Sequence, residues 1–145
     1  MTATATDLSD LSPMWRERFA FFEQHGPLNT PEALAAFKAL SYDEKLVLRM
    51  NWRALFLGIV YLPMLGLWRR WLMLMVAIAV GIGAAIVLRR VEVLDVSLPW
   101  VVWVVLLAFL SVCAASTNYA YYLKRTTGED SYNPFIGESW QRPWF

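Results

Sequence analysis

The sequence predicts an all-α membrane protein. Its parts would be N-terminal cytoplasmic helices, a short re-entrant or interfacial hydrophobic segment, two transmembrane helices and an aromatic C-terminal tail. Three observations carry this expectation. The chain is 58% hydrophobic and 17% charged, an apolar share above the roughly 45–50% of soluble domains. That excess is concentrated between residues 54 and 123, with polar stretches on either side. Within it, Arg69 and Arg70 divide the run ALFLGIVYLPMLGLWRRWLMLMVAIAVGIGAAIVLRR into unequal pieces.

Residues 1–11 are polar and acidic and read as a flexible N-terminus; they lack a basic region followed by an apolar one, so no cleaved signal peptide is expected. Residues 12–53 read as a helical cap. Ser12 before Pro13 is a start signal, a hydroxyl for free backbone N–H groups and then a ring whose fixed φ suits the first turn. Trp15, Phe19 and Phe22 follow at i, i+4 and i+7, and Gly26 with Pro27 ends the helix. Thr30 and Pro31 repeat the signal for a second helix, and Ser41 with Glu44 has capping-box spacing for a third. The aromatic face of the first helix is expected to close a small core with the second and third, with contact to a partner or to the membrane surface as the alternatives. His25 has no companion that would make it a base or a metal ligand.

A straight span needs about 20 residues at 1.5 Å each. Residues 54–68 supply only about 22 Å and contain Gly58, Pro63 and Gly66. Residues 71–88 and 99–120 provide two uncharged candidate spans. If 54–68 crossed the bilayer, the flanking cations would divide four against four. If it dips and returns, Arg49, Arg53, Arg69, Arg70, Lys124 and Arg125 share one side against Arg89 and Arg90, which is the positive-inside pattern. The dip is therefore expected, with both termini cytoplasmic and a three-span path as the alternative. Trp68, Arg69, Arg70, Trp71, Trp100, Tyr119 and Tyr122 are expected at the membrane interfaces. Ala77, Gly81 and Ala85 form a stripe of small residues for helix packing, within the chain or between copies. Residues 124–145 form a cytoplasmic tail whose aromatics, Trp140 and Trp144 among them, are expected to fold back onto the cap or the interface.

The chemistry expected is slight. Neither candidate span carries an ionisable residue to serve a proton relay. Gly81 and Gly83 lie inside an apolar span rather than between a strand and a helix, so they mark no dinucleotide site. Cys113 is the sole cysteine, which rules out an intramolecular disulfide. A net charge of +1 argues against nucleic acid as a partner. No enzyme activity, cofactor or metal is expected.

Several stretches, taken in order, resemble a known family. They are FKALSYDEK, then NWRALFLGIVYLPMLGLWRR, NYAYYLK and SYNPF. The chain is similar over roughly residues 15–137 to small bacterial inner-membrane proteins classed as DUF2628, a domain of unknown function. Family members look like F-F-G-P where this chain has Phe56, Leu57, Gly58 and Ile59, so the break in the dip lacks that proline. The resemblance implies a bacterial inner membrane and no established activity.

The functional expectation is a non-catalytic accessory or interaction subunit of a membrane complex, in contact with membrane lipid and with a membrane-protein partner or another copy of itself. Trp15, Phe19, Phe22, Trp140 and Trp144 are the partner-contact candidates. The rival expectation is a small transporter component using the re-entrant segment. A lipid-modifying enzyme using Cys113 or Asn118 comes third.

Overall fold

The computed structural model describes residues 9–91 and 97–137, and every regular element among them is a helix. These are α1 (Pro13–His25), α2 (Pro31–Ala39), α3 (Tyr42–Arg49), α4 (Trp52–Met64), α5 (Trp68–Arg90) and α6 (Leu98–Thr127). α3 and α4 adjoin in the run Tyr42–Met64. With α5 and α6 this makes three helical runs long and apolar enough to cross a membrane.

Local chemistry sets the helix starts. Glu44 accepts from the Ser41 N–H at 2.8 Å while the Ser41 hydroxyl accepts from the Glu44 N–H, a complete capping box. Thr30 Oγ1 accepts from the Ala33 N–H at 3.3 Å. Ser12 contributes through its backbone instead: its carbonyl accepts from Trp15 and Arg16 at 2.9 and 3.0 Å, and its hydroxyl makes no capping bond. α1 ends at Gly26, whose φ of 74° falls in the region that glycine enters without strain.

α1 serves two cores. Phe21 and Phe22 pack with Leu48 against Leu28, Phe37 and Leu40, closing the small cap core. Trp15 and Phe19 turn instead to the end of α6. The Trp15 ring lies 4.8 Å from Tyr121, and Phe19 and Phe22 lie 5.2 Å from Tyr122 and Tyr119 respectively. The cap therefore rests on the last turns of α6, and those tyrosines form its floor.

α5 and α6 run antiparallel. Arg70 meets Ser116, Gly81 meets Val105, and Ala85 and Leu88 share a shallow groove with Trp100 and Val101. α4 follows a different course along α6. Its first residues meet Ala114 and Asn118, and Gly58 meets Cys113 and Leu110. Gly66, just past its end, is back beside Lys124. Both ends of α4 thus contact the cap half of α6. The reversal is accommodated at Leu57, whose φ of −121° and ψ of 16° depart from helical values, and by Pro63, which has no N–H to donate to the Ile59 carbonyl in the preceding turn. The chain bends at this point although the family's proline is absent.

α6 ends at Gly128 with a left-handed φ of 75°. The tail then returns across the cap end of the helices. Asn133 Oδ1 accepts from the Phe135 N–H at 3.0 Å, Ile136 joins the main core, and Gly137 lies flat on Tyr119, where an added Cβ would stand 2.2 Å from the ring.

The glycines give a sharp test. A Cβ at Gly58 would lie 3.1 Å from both Cβ and Sγ of Cys113, whereas one at Gly83 would meet nothing within 4 Å among the described residues beyond its own helix turn. Gly58→Leu should destabilise the protein by about 1–3 kcal/mol through overpacking. Gly83→Ala should be neutral or stabilise by up to about 1 kcal/mol. Thermal unfolding in detergent micelles separates the two.

Candidate functional site

Polar side chains gather where the cap meets the apolar helices, and their first task is to satisfy backbone. Asn51 Oδ1 accepts from the Ala54 N–H at 3.1 Å and so caps α4, its own N–H donates to the Ala114 carbonyl at 2.9 Å, and its Nδ2 donates to Asn118 Oδ1 at 3.0 Å. Asn118 Nδ2 donates in turn to the Leu48 carbonyl at 2.9 Å, near the end of α3 where carbonyls lose their helical partners. Both asparagines are essentially inaccessible, so each bond removes a desolvation cost of roughly 1–3 kcal/mol.

Arg70, on the first turn of α5, is 1% exposed. It donates to the Ser116 carbonyl on α6 and, at 3.1 Å, to the Asn133 carbonyl of the tail. Arg69 beside it points outward. Its N–H and guanidinium donate to the Asp130 side chain and carbonyl at 3.3 Å, and the guanidinium stacks 5.3 Å from the Tyr132 ring. Lys124 donates to the Gly66 carbonyl and lies 3.9 Å from Asp130. Three cations are thus drawn into one knot with the returning tail.

On the other side of the cap, α1 and the start of α4 enclose a cleft of about 410 Å³ lined by Met14, Trp15, Arg18, Asn51, Arg53 and Tyr61, among others. Arg18 is 3% exposed. Its Nε and Nη2 donate to the carbonyls of Val47 and Met50 at 2.8 and 3.0 Å, and its guanidinium stacks 4.7 Å from the centre of the Trp15 ring. Burial lowers its pKa to about 10, partly opposed by Tyr61 and Glu17, and it stays charged at neutral pH.

The residues expected to matter fall into distinct places. Trp15, Phe19 and Phe22 are 7%, 0% and 4% exposed, so the anticipated docking face is covered from within by α6 and the cap. Tyr119 and Tyr122 are rings that cover it and are themselves half-buried. Trp68 and Trp100 are exposed. Trp71 is half-buried and donates from Nε1 to the Ile59 carbonyl at 2.8 Å, tying α5 to α4. Arg69 is exposed although it contacts Asp130 and Tyr132 of the tail, while Arg70 is enclosed because its side of the helix also meets α6. Gly81 and Ala85 face α6, and Ala77 is exposed. Trp140 and Trp144 lie outside the described residues. Among the described residues, no group of three or more His, Cys, Asp or Glu side chains comes together.

Arg18 and Asn51 were not anticipated. Arg18 had a local signal, standing at i+3 from Trp15 and four residues before Phe22 on the aromatic face. Asn51 had one also, as an N-cap residue directly before an apolar run.

These features define a class: a small all-helical protein with three helical runs apolar enough for a bilayer and a polar seam beneath a helical cap. The model described as "Protein of unknown function (DUF2628)" matches residues 3–126, and the chain belongs to that family. It is 32% identical over 129 residues to the uncharacterized protein YigF of Escherichia coli (strain K12), covering 85% of this chain and 91% of that one. It is 38% identical over 82 residues to the uncharacterized protein YigF of Salmonella typhimurium (strain LT2), covering 52% of this chain and 65% of that one. No solved structure matches.

Arg70→Met would leave the two carbonyls that Arg70 serves without it, at roughly 1–3 kcal/mol for each buried group orphaned. The expected outcome is a tail released from the helices: limited proteolysis should cut between residues 128 and 137 in the variant and leave the native chain intact there.

Proposed function

We propose that the chain is a non-catalytic bacterial inner-membrane protein, an accessory subunit that holds a membrane-protein partner, or a second copy of itself, against the outer face of α5. The observation that carries this is Gly83. A glycine inside a helix costs about 1 kcal/mol relative to alanine unless packing requires it, and apart from the backbone of its own helix turn nothing among the described residues lies within 4 Å of where its Cβ would be. Exposed Ala79 stands one turn before it, between exposed Val76, Val80 and Val87. Spacing of this kind lets a second helix approach closely in lipid. The opposite face, with Leu74, Gly81 and Ala85, is already occupied by α6.

In this reading α5 and α6 cross the bilayer, and α4 dips in and returns to the cytoplasmic side with the cap and tail. Support comes from the contacts of α4, both ends of which meet the cap half of α6, and from the cation count of six against two. A re-entrant backbone must be covered by protein, and Cys113 and Leu110 pack directly on Gly58 near the bend. That covering weighs against the transporter alternative, in which the bend would line an open path.

Two measurements test these statements. A photoreactive side chain in place of Val80, activated in native membranes, should capture a membrane protein or a second copy; adducts with lipid alone would overturn the subunit reading. In a Cys113→Ala background, Arg53→Cys and Arg69→Cys should react with an impermeant maleimide from the same side, and Arg90→Cys from the other. Labelling of Arg53→Cys and Arg69→Cys from opposite sides would instead establish a three-span path.

A further inference from the structure

The cleft between α1 and α4 has no part in the subunit reading, yet it is built unlike a gap left by packing. Arg18 lies in its wall, held rigid by two backbone carbonyls through Nε and Nη2 and by the Trp15 ring. Its Nη1 is left to donate elsewhere. Arg53 provides a second, exposed guanidinium on the first turn of α4. Among the described residues no carboxylate lines the cleft; an acidic charge acting on Arg18 is Glu17, the residue before it in α1. Two guanidiniums around about 410 Å³ of space, with no carboxylate among the described lining residues, form a site for an anionic group.

The surroundings indicate which anion. Trp52, in the cleft wall, stacks on Phe56 one turn further along α4 with ring centroids 6.3 Å apart, and the two are 51% and 74% exposed. Ile59 and Val60 continue the exposed apolar face of α4, and Met14 is half-exposed at the mouth. A ligand placed here would meet cations at one end and an open apolar surface at the other, with a tryptophan at the junction. That is the profile of a phospholipid, whose phosphate sits at the headgroup level where tryptophan and arginine are favoured and whose chains lie along lipid-facing helix. A free phosphate would use the cations and leave the apolar face idle.

We propose that this cleft binds the headgroup phosphate of an anionic phospholipid, with Arg53 and Arg18 as the phosphate donors and the Trp52–Phe56 face of α4 along its acyl chains. The assignment rests on the membrane topology proposed above, in which the start of α4 lies at the cytoplasmic interface. Arg53 is the residue to vary, since Arg18 also supports α3.

The test uses the full chain purified in mild detergent and titrated with phosphatidylglycerol, with bound lipid counted by native mass spectrometry. The native protein is expected to retain one phosphatidylglycerol. Arg53→Gln should weaken that binding roughly tenfold, the loss of one charge-assisted contact, and Arg53→Lys should restore part of it. Arg89→Gln, at the far end of α5, should change nothing. Equal retention by the native protein and Arg53→Gln, or equal retention of zwitterionic phosphatidylcholine, would overturn the proposal. Displacement of the lipid by millimolar inorganic phosphate would also overturn it and assign the cleft to a soluble anion. The maleimide experiment is independent: a three-span result removes the topology, whereas lipid counting reports on the cleft itself.

Discussion

The interaction on which the architecture depends is the burial of Arg70. An isolated guanidinium taken out of water is costly, and a helix entering lipid offers it no partner. The chain meets this by bringing two backbone carbonyls to it, from Ser116 on α6 and from Asn133 on the tail. Those partners lie 46 and 63 residues away in sequence, so satisfying a single side chain fixes the register of α5 against α6 and returns the tail to the helices. A lysine could not do the same, because a point charge on a flexible stem lacks the planar fork that reaches two acceptors on different elements.

The two asparagines apply the same logic to α4. A helix that ends at Arg49 and restarts at Trp52 leaves carbonyls and N–H groups unpaired in a place that water does not reach. Asn51 and Asn118 fill those positions and bond to each other, so the break between α3 and α4 becomes an anchorage on α6. With that end pinned and Gly66 held by Lys124 at the other, the intervening segment has to bend. Gly58 lets the bent segment lie against Cys113. This explains how the turn forms at Leu57 without a proline: its ends are constrained more strongly than its middle is stiff.

What the sequence discloses and what it hides separate along one physical line. Helix starts at Thr30 and Ser41 are legible because a cap and its target are within three residues. The aromatic stripe of α1 is legible as a stripe, since periodicity reports that a face is covered. It does not report by what, and the covering rings of Tyr119, Tyr121 and Tyr122 lie about a hundred residues further along the chain. Arg69 and Arg70 are chemically alike and adjacent, and one turns outward while the other is buried. Successive helical residues differ in direction by a fixed rotation of about 100°, but only the position of α6 and the tail decides which of them is enclosed. The cleft escapes a linear search for the same reason, since Arg18 and Arg53 belong to different helices and become one site only after the cap has docked.

The stretches that carry the family resemblance can now be given physical roles. NWR opens with Asn51, LWRR closes on Arg70, NYAYYLK begins at Asn118 and ends at Lys124, and SYNPF is centred on Asn133. Each supplies at least one member of the hydrogen-bonded seam between the apolar helices and the cap. The resemblance therefore follows the parts that hold this architecture together, with no need for a shared reaction to account for it. Residues free of the seam, such as Arg53, Phe56 and Val80, face outward. A protein built in this way keeps its framework inside and leaves its outer, apolar helix faces to be specified by whatever lies against them, which is where its function should be sought.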